Sequence, residues 1–384
     1  MRERNGLLPF AALSACYFAH IGFFNPYLPL WLKDLGFPIV VISLLTSVQS
    51  FTRVFAPYAW GALSDQTGER VRLLRFSAAV SLLVSAGLWF DGGPWWVALV
   101  LLLLFTHTSS MMSLTEAAMA HLVAGDWGRY GRVRLWGSAG FLVTVFLAGA
   151  WFERFGMRSF PAWTMATLGL VLICTFLLPD TREKPEHQAR HVKEPVGPVL
   201  RQPVVRWFFL SLLFHVMAHF AIYGFFSLYL DSVGYSKAMI GTLWAVSVAV
   251  EIAWFFTQGR FIGRLPMSRW LVICGVAMVL RMGLTGGLGF SLLALFVAQA
   301  LHALTFATHH TACIAMVSQH FPGRLRGRGQ ALFTVIGYGV GGVVGVLAGG
   351  ALASRFGFQA MFHVATLLAL LGTLCAWRVS RLDR

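Results

Sequence analysis

Long runs in which nearly every position is apolar, separated by short basic or Pro/Gly-containing breaks, set the pattern of this chain. Twelve such runs occur, at roughly 9–32, 39–62, 72–90, 94–121, 135–154, 160–178, 204–230, 238–259, 269–288, 291–318, 329–353 and 358–378. A helix needs about 20 apolar residues to cross a bilayer, which these runs approach or exceed. Strands of a membrane barrel would be about ten residues long and alternate in polarity, so the pattern predicts helices. The expected fold class is an all-α membrane protein with twelve transmembrane helices.

Residues 180–203 form the one long polar stretch, bounded and interrupted by Pro179, Pro185, Pro195, Pro198 and Pro203. It reads as a cytoplasmic linker between two bundles of six helices, 1–179 and 204–384. The halves echo each other. Gly22-Phe23-Phe24-x-x-Tyr27-Leu28 recurs as Gly224-Phe225-Phe226-x-x-Tyr229-Leu230, 202 residues later. Arg154-Phe155-Gly156 recurs as Arg355-Phe356-Gly357, 201 residues later, and the basic run Arg129/Arg132/Arg134 is matched by Arg324/Arg326/Arg328. Such a tandem repeat implies two pseudo-symmetric bundles rocking about a common central cavity, the geometry of alternating access. The eleventh run carries Gly337, Gly339, Gly341, Gly342, Gly345, Gly349 and Gly350. Small residues allow close helix approach, so tight packing is expected there.

The chain has 384 residues, of which 57% are hydrophobic and 12% charged. Soluble domains carry about 25% charged residues, so lipid is the main solvent expected here. The net charge of +15 would suit nucleic acid, but its placement argues against that partner. With a cytoplasmic N-terminus, 23 of the 30 Lys and Arg residues fall on the cytoplasmic side. The opposite side holds only Lys33, Arg154, Arg158, Lys237 and Arg355, and Arg53 and Arg281 lie within helices. This positive-inside bias predicts a multi-pass protein of a bacterial inner (plasma) membrane with both termini cytoplasmic. The first apolar run is too long for a cleaved signal peptide and lacks a small-residue exit. Cys16, Cys174, Cys274, Cys313 and Cys375 lie in apolar helices without C-x-x-C spacing, and read as packing residues. No P-loop sequence occurs, which argues against ATP hydrolysis by that route.

Glu116 and Glu251 alone among the carboxylates sit inside long apolar runs and away from their ends. A charge in hydrocarbon is costly, so one that survives marks a pathway, relay or ligand partner. Glu251 lies near the middle of its helix. A cation that approaches and withdraws could move its protonation across neutral pH, as a proton symporter requires; a permanent ion pair with Arg281 is the competing reading. Arg53 and Arg281 are equally deep, and a guanidinium can grip a carboxylate with two parallel hydrogen bonds. The eight deep histidines His20, His107, His215, His219, His302, His309, His310 and His363 read mainly as polar packers. His20 and His219, in the equivalent first and seventh helices, are candidates for substrate contact. Adjacent His309 and His310 cannot face one metal ion, since helical ligand pairs are spaced i, i+4, and no metal or cofactor is expected. Tyr27, Trp31, Tyr229 and Trp244 read as interfacial anchors, with Tyr27 a candidate for stacking on an aromatic substrate. No converging nucleophile and base suggest an enzyme, and no appended soluble domain suggests a sensor.

After the second run the chain reads Gly61-Ala-Leu63-Ser64-Asp65-Gln-Thr-Gly68-Glu-Arg70. This resembles the loop motif of the major facilitator superfamily, in which Gly61, Asp65, Gly68 and Arg70 would make charged contacts that hold one carrier state. Pro26-x-x-Pro29-Leu30-Trp31-Leu32-x-Asp34 and Gly131-Arg132-Val133-Arg134-Leu135-Trp136-Gly137 resemble the lactose-permease branch. The latter motif and Leu301-His302-Ala-Leu-Thr305-Phe306 are most similar to its 3-phenylpropionate permease group. The resemblance covers essentially the whole chain. It implies a substrate-binding pair at Glu116 and Arg134, 18 residues apart, and a proton-coupling region at Glu251, Arg281 and His302. The branch's proton-carrying glutamate on helix 10 is replaced here by Thr305, which shifts the expected protonation site to Glu251, with His302 and Glu116 as candidate relays. The expected function is proton-coupled uptake of a small organic anion, such as an aromatic carboxylate, by a monomer. A sugar or nucleoside symporter and a drug-efflux carrier are the alternatives.

Overall fold

The structure, a computed structural model, describes residues 7–123, 127–179 and 195–383. The described residues are overwhelmingly helical and contain no strand. The first half comprises α1 (Leu8–Asp34), α2 (Ile39–Thr67), α3 (Arg70–Trp89), α4 (Gly93–Val123), α5 (Trp127–Phe155) and α6 (Phe160–Phe176). The second comprises α7 (Pro203–Val233), α8 (Lys237–Thr257), α9 (Met267–Gly287) and α10 (Leu292–His320), followed by one helical run, Arg326–Leu382. Eleven described helices are long and apolar enough to cross a membrane. The last spans 57 residues, about twice what one crossing needs. It breaks at Gly357 (φ 84°, ψ 166°) into α11 (326–356) and α12 (358–382), which gives twelve spans. Most of the expected linker, residues 180–194, lies outside the described residues; its end carries the short helix Gly197–Arg201.

Two helices overrun their apolar windows. α2 continues to Thr67, so Gly61 and Asp65 lie in its last turns, and only Gly68 onward forms the expected loop. Gly68 takes φ 68° and donates its N–H to Ser64 O at 2.8 Å, the left-handed stop a glycine allows. α5 starts at Trp127, not near 135, because helical geometry extends through the basic run that precedes the apolar one.

The repeat seen in the sequence recurs in the backbone. Gly156 (φ 75°, ψ 171°) and Gly357 occupy a region of φ/ψ essentially restricted to glycine. The preceding arginines, Arg154 and Arg355, each lie 5.8 Å from the neighbouring phenylalanine ring. α1 packs on α5 and α6, and α7 on α11 and α12.

The chain divides into two compact units. Unit 1 comprises Met1–Phe37, Phe51–Arg190 and Lys237–Ala245; unit 2 comprises Pro38–Ser50, His191–Ser236 and Val246–Arg384. The start of α2 thus belongs with the second half of the chain, and the start of α8 with the first. Glycines permit both placements. In unit 2, a Cβ on Gly342 or Gly350 of α11 would strike the side chains of Ser50 or Ser43. In unit 1, a Cβ on Gly241 of α8 would lie 2.6 Å from Val145 O of α5.

Candidate functional site

Unit 2 assembles a connected polar network from three apolar helices. Arg281 projects from α9 and is completely buried. One of its terminal nitrogens lies 3.0 Å from His302 Nδ1 and donates to Thr305 Oγ1 at 2.9 Å; the other donates to Gln299 Oε1 at 3.0 Å. Gln299, His302 and Thr305 sit three residues apart on α10, so they share one helix face. On its far side His302 Nε2 lies 3.0 Å from Glu251 Oε2 of α8.

Donor and acceptor inventory fixes the protonation pattern of this chain of bonds. A guanidinium only donates, so His302 Nδ1 must offer its lone pair. The remaining proton of a neutral ring then sits on Nε2, where it donates to the Glu251 carboxylate. His302 is therefore a neutral bridge between Glu251 and the Arg281 guanidinium, which do not touch each other. The competing expectation of a direct Glu251–Arg281 pair is replaced by this relayed one.

The backbone of α10 is adapted to the network. Residues Ala303–Thr308 form a π-helical turn immediately after His302. The amide of His309 donates to Leu304 O and Phe306 O, bypassing Thr305 O, which would be its partner in an α-helix. The Thr305 carbonyl instead accepts from His215 Nε2 of α7 at 2.9 Å. Thr305 thus joins Arg281 through its hydroxyl to α7 through its carbonyl. π-turns of this kind occur often at functional sites. His215 stacks on His309 at 3.6 Å and 4°, His219 stacks on Tyr223 at 4.6 Å, and the His219 and His302 rings meet edge to face with centroids 5.6 Å apart. A small cavity of about 10 Å³, room for roughly one water, opens among His215, His219, Tyr223, Thr305, His309 and Tyr338.

The other expected site residues are distributed in unit 1. His20 is buried, and its Nδ1 lies 3.0 Å from Thr167 Oγ1, whose hydroxyl already donates to Trp163 O at 2.8 Å. The imidazole therefore donates to Thr167 and packs against Phe23 and Phe24. Tyr27 is fully buried, its hydroxyl 3.1 Å from Val145 O and 3.2 Å from Lys237 O. Tyr27, Trp31, Tyr229 and Trp244 are all buried within protein, so the reading of these four as interfacial anchors is corrected. They lie near helix ends, but neighbouring helices cover them, as Phe160 covers Trp31 at 5.1 Å.

Arg134 is exposed on α5 and stacks over the Phe18 ring at 4.4 Å. Its expected partner Glu116 lies on α4, with a side chain outside those described. Arg53 is half-buried in α2. In the loop motif, Arg70 approaches Asp65 at 3.8 Å. Among the described residues, no cluster of three or more His, Cys, Asp or Glu side chains could hold a metal ion. Gln299 and the π-turn escaped sequence reasoning. Only the spacing of Gln299 three residues before His302 hints at a common face.

The MFS_1 like family model matches residues 10–364. A protein of Escherichia coli strain K12 described as a probable 3-phenylpropionic acid transporter is 28% identical over 363 residues, covering 92% of this chain and 93% of its own. A maltose permease of Geobacillus stearothermophilus is 22% identical over 353 residues, covering 89% and 86%. Among solved structures, a point mutant of the nucleoside transporter NupG superposes with a TM-score of 0.83 at 17% identity, over 98% of this chain and 99% of that one.

Proposed function

Since the chain belongs to the MFS_1 like family and is a membrane transporter, not an enzyme, we propose that it is a secondary carrier that couples proton entry to uptake of a small organic anion. Two six-helix halves, 1–179 and 204–384, joined by the 180–203 linker, would alternate access to the two sides of a bacterial inner membrane. Both termini would be cytoplasmic. An aromatic carboxylate of the phenylpropanoate kind is the favoured substrate, supported by the 28% identical relative.

The observation that carries this reading is the Glu251–His302–Arg281 relay. With Glu251 ionised and His302 neutral, one negative and one positive charge balance inside the membrane. A proton taken up on Glu251 leaves the Arg281 charge uncompensated. If the proton settles on His302 Nδ1 instead, Arg281 must withdraw, because two N–H groups cannot share one hydrogen bond. Either way a buried cation is left in search of an anion, a costly condition in a low-dielectric interior. A substrate carboxylate removes that cost, so proton and anion each favour binding of the other, as linkage requires. Arg53 is a candidate second cation in the substrate's path.

Labelled 3-phenylpropionate should enter proteoliposomes containing the purified protein, with competition from other aromatic acids and little from maltose or uridine. A second reading, a sugar or nucleoside symporter using Glu116 and Arg134, rests on the 18-residue spacing of that pair. Competition by maltose or uridine without competition by aromatic acids would favour it and reject the anion reading.

A further inference from the structure

We propose that Gln299 and Arg281 together form a carboxylate-binding subsite within unit 2; the inference rests on the anion-carrier reading and specifies where the carboxylate sits. Arg281 and Gln299 are each entirely buried. Gln299 Oε1 accepts from Arg281, which orients the amide and leaves the two hydrogens of its Nε2 to find acceptors. None of the described residues accepts them, and Arg281 Nε also lacks a partner.

Buried polar groups are nearly always hydrogen-bonded, so orphans at adjacent residues require an explanation. All of these orphans are donors. Three N–H groups on two mutually bonded side chains are unpartnered, and what is missing is acceptors. Arg281's three bonded partners, His302 Nδ1, Thr305 Oγ1 and Gln299 Oε1, are all neutral. Its charge is met by Glu251 only through the intervening imidazole. A carboxylate supplies two oxygens and about four lone-pair positions with no proton of its own, so it fits this shortage. A cation would be repelled, and an alcohol would add another donor. Because the two side chains are sealed, the acid reaches them only as the side chains around them rearrange during the transport cycle. It is held there by Arg281 Nε and the Gln299 amide.

The test titrates the purified full-length protein with 3-phenylpropionate and with the neutral 3-phenylpropan-1-ol, reading melting temperature and affinity. The wild type should be stabilised by the acid and not by the alcohol. Gln299→Glu places a carboxylate against Arg281 from within. Its ligand-free melting temperature should hold or rise, while its affinity for the acid falls by at least about tenfold, the weight of one hydrogen bond to a charged group. Gln299→Met, similar in length but without donors, should also lose affinity, and its ligand-free melting temperature checks that it folds. If either folded variant binds the acid as the wild type does, the subsite holds water only and the proposal is overturned. A wild type that responds to no carboxylate overturns the anion-carrier reading along with it, whereas a responsive wild type with unaffected variants overturns the subsite alone.

Discussion

At the scale of single residues, side-chain type and position along a helix do not by themselves reveal a residue's partners. Glu251 and Arg281 stood out in the sequence because charge inside an apolar run is expensive. Arg281 is buried, and Glu251 contacts His302. Gln299 carries no charge and was not legible, though it makes one of the closest contacts to the guanidinium. Tyr27 misled in the other direction, because position near a helix end does not report what covers the ring. Tyr27→Phe removes a hydroxyl near two backbone carbonyls. It should lower stability by about 1–2 kcal/mol in thermal or denaturant unfolding, while leaving the KM for substrate unchanged. A raised KM at unchanged stability would give Tyr27 to the substrate instead. Arg281→Lys keeps a positive charge but loses the planar fork, so His302, Thr305 and Gln299 cannot all be satisfied. Transport should fall by at least about tenfold, the equivalent of one charge-assisted bond. Wild-type uptake by that variant would mean that charge alone suffices.

At the scale of elements, apolar length located the helices well and their ends poorly. The basic start of α5 and the motif-bearing end of α2 are helical beyond the apolar runs, where hydropathy gives no guidance. The π-turn at Ala303–Thr308 was invisible for a related reason: it preserves an apolar, helical composition and changes only which carbonyl each amide meets. Its consequence is testable. Thr305→Val removes the hydroxyl that receives Arg281 while retaining the carbonyl that receives His215. The loss leaves a buried donor unsatisfied and should cost about 1–3 kcal/mol in stability. The Arg-Phe-Gly repeat makes a matching prediction in both halves. Gly156→Ala and Gly357→Ala force a Cβ into a backbone region nearly exclusive to glycine, and each should cost about 1–3 kcal/mol in unfolding measurements. Full stability in either variant would show that the helix junctions relax freely.

At the scale of the whole molecule, the family, the helical fold and the transporter class were legible from the apolar runs, the repeat and the loop motif. The compact units were less so. Serines and glycines that let α2 meet α11, and α8 meet α5, carry no conspicuous pattern of their own. The proposed central act is that a proton taken into the Glu251–His302 pair frees Arg281 for a carboxylate. It is tested most directly by accumulation of labelled 3-phenylpropionate in proteoliposomes, with and without an inward proton gradient, for wild type and Glu251→Gln. Wild type should accumulate the acid only with the gradient and lose it on adding a protonophore, whereas Glu251→Gln should exchange substrate across the membrane without concentrating it. Gradient-driven accumulation that survives the substitution, or wild-type accumulation that ignores the protonophore, would contradict the account.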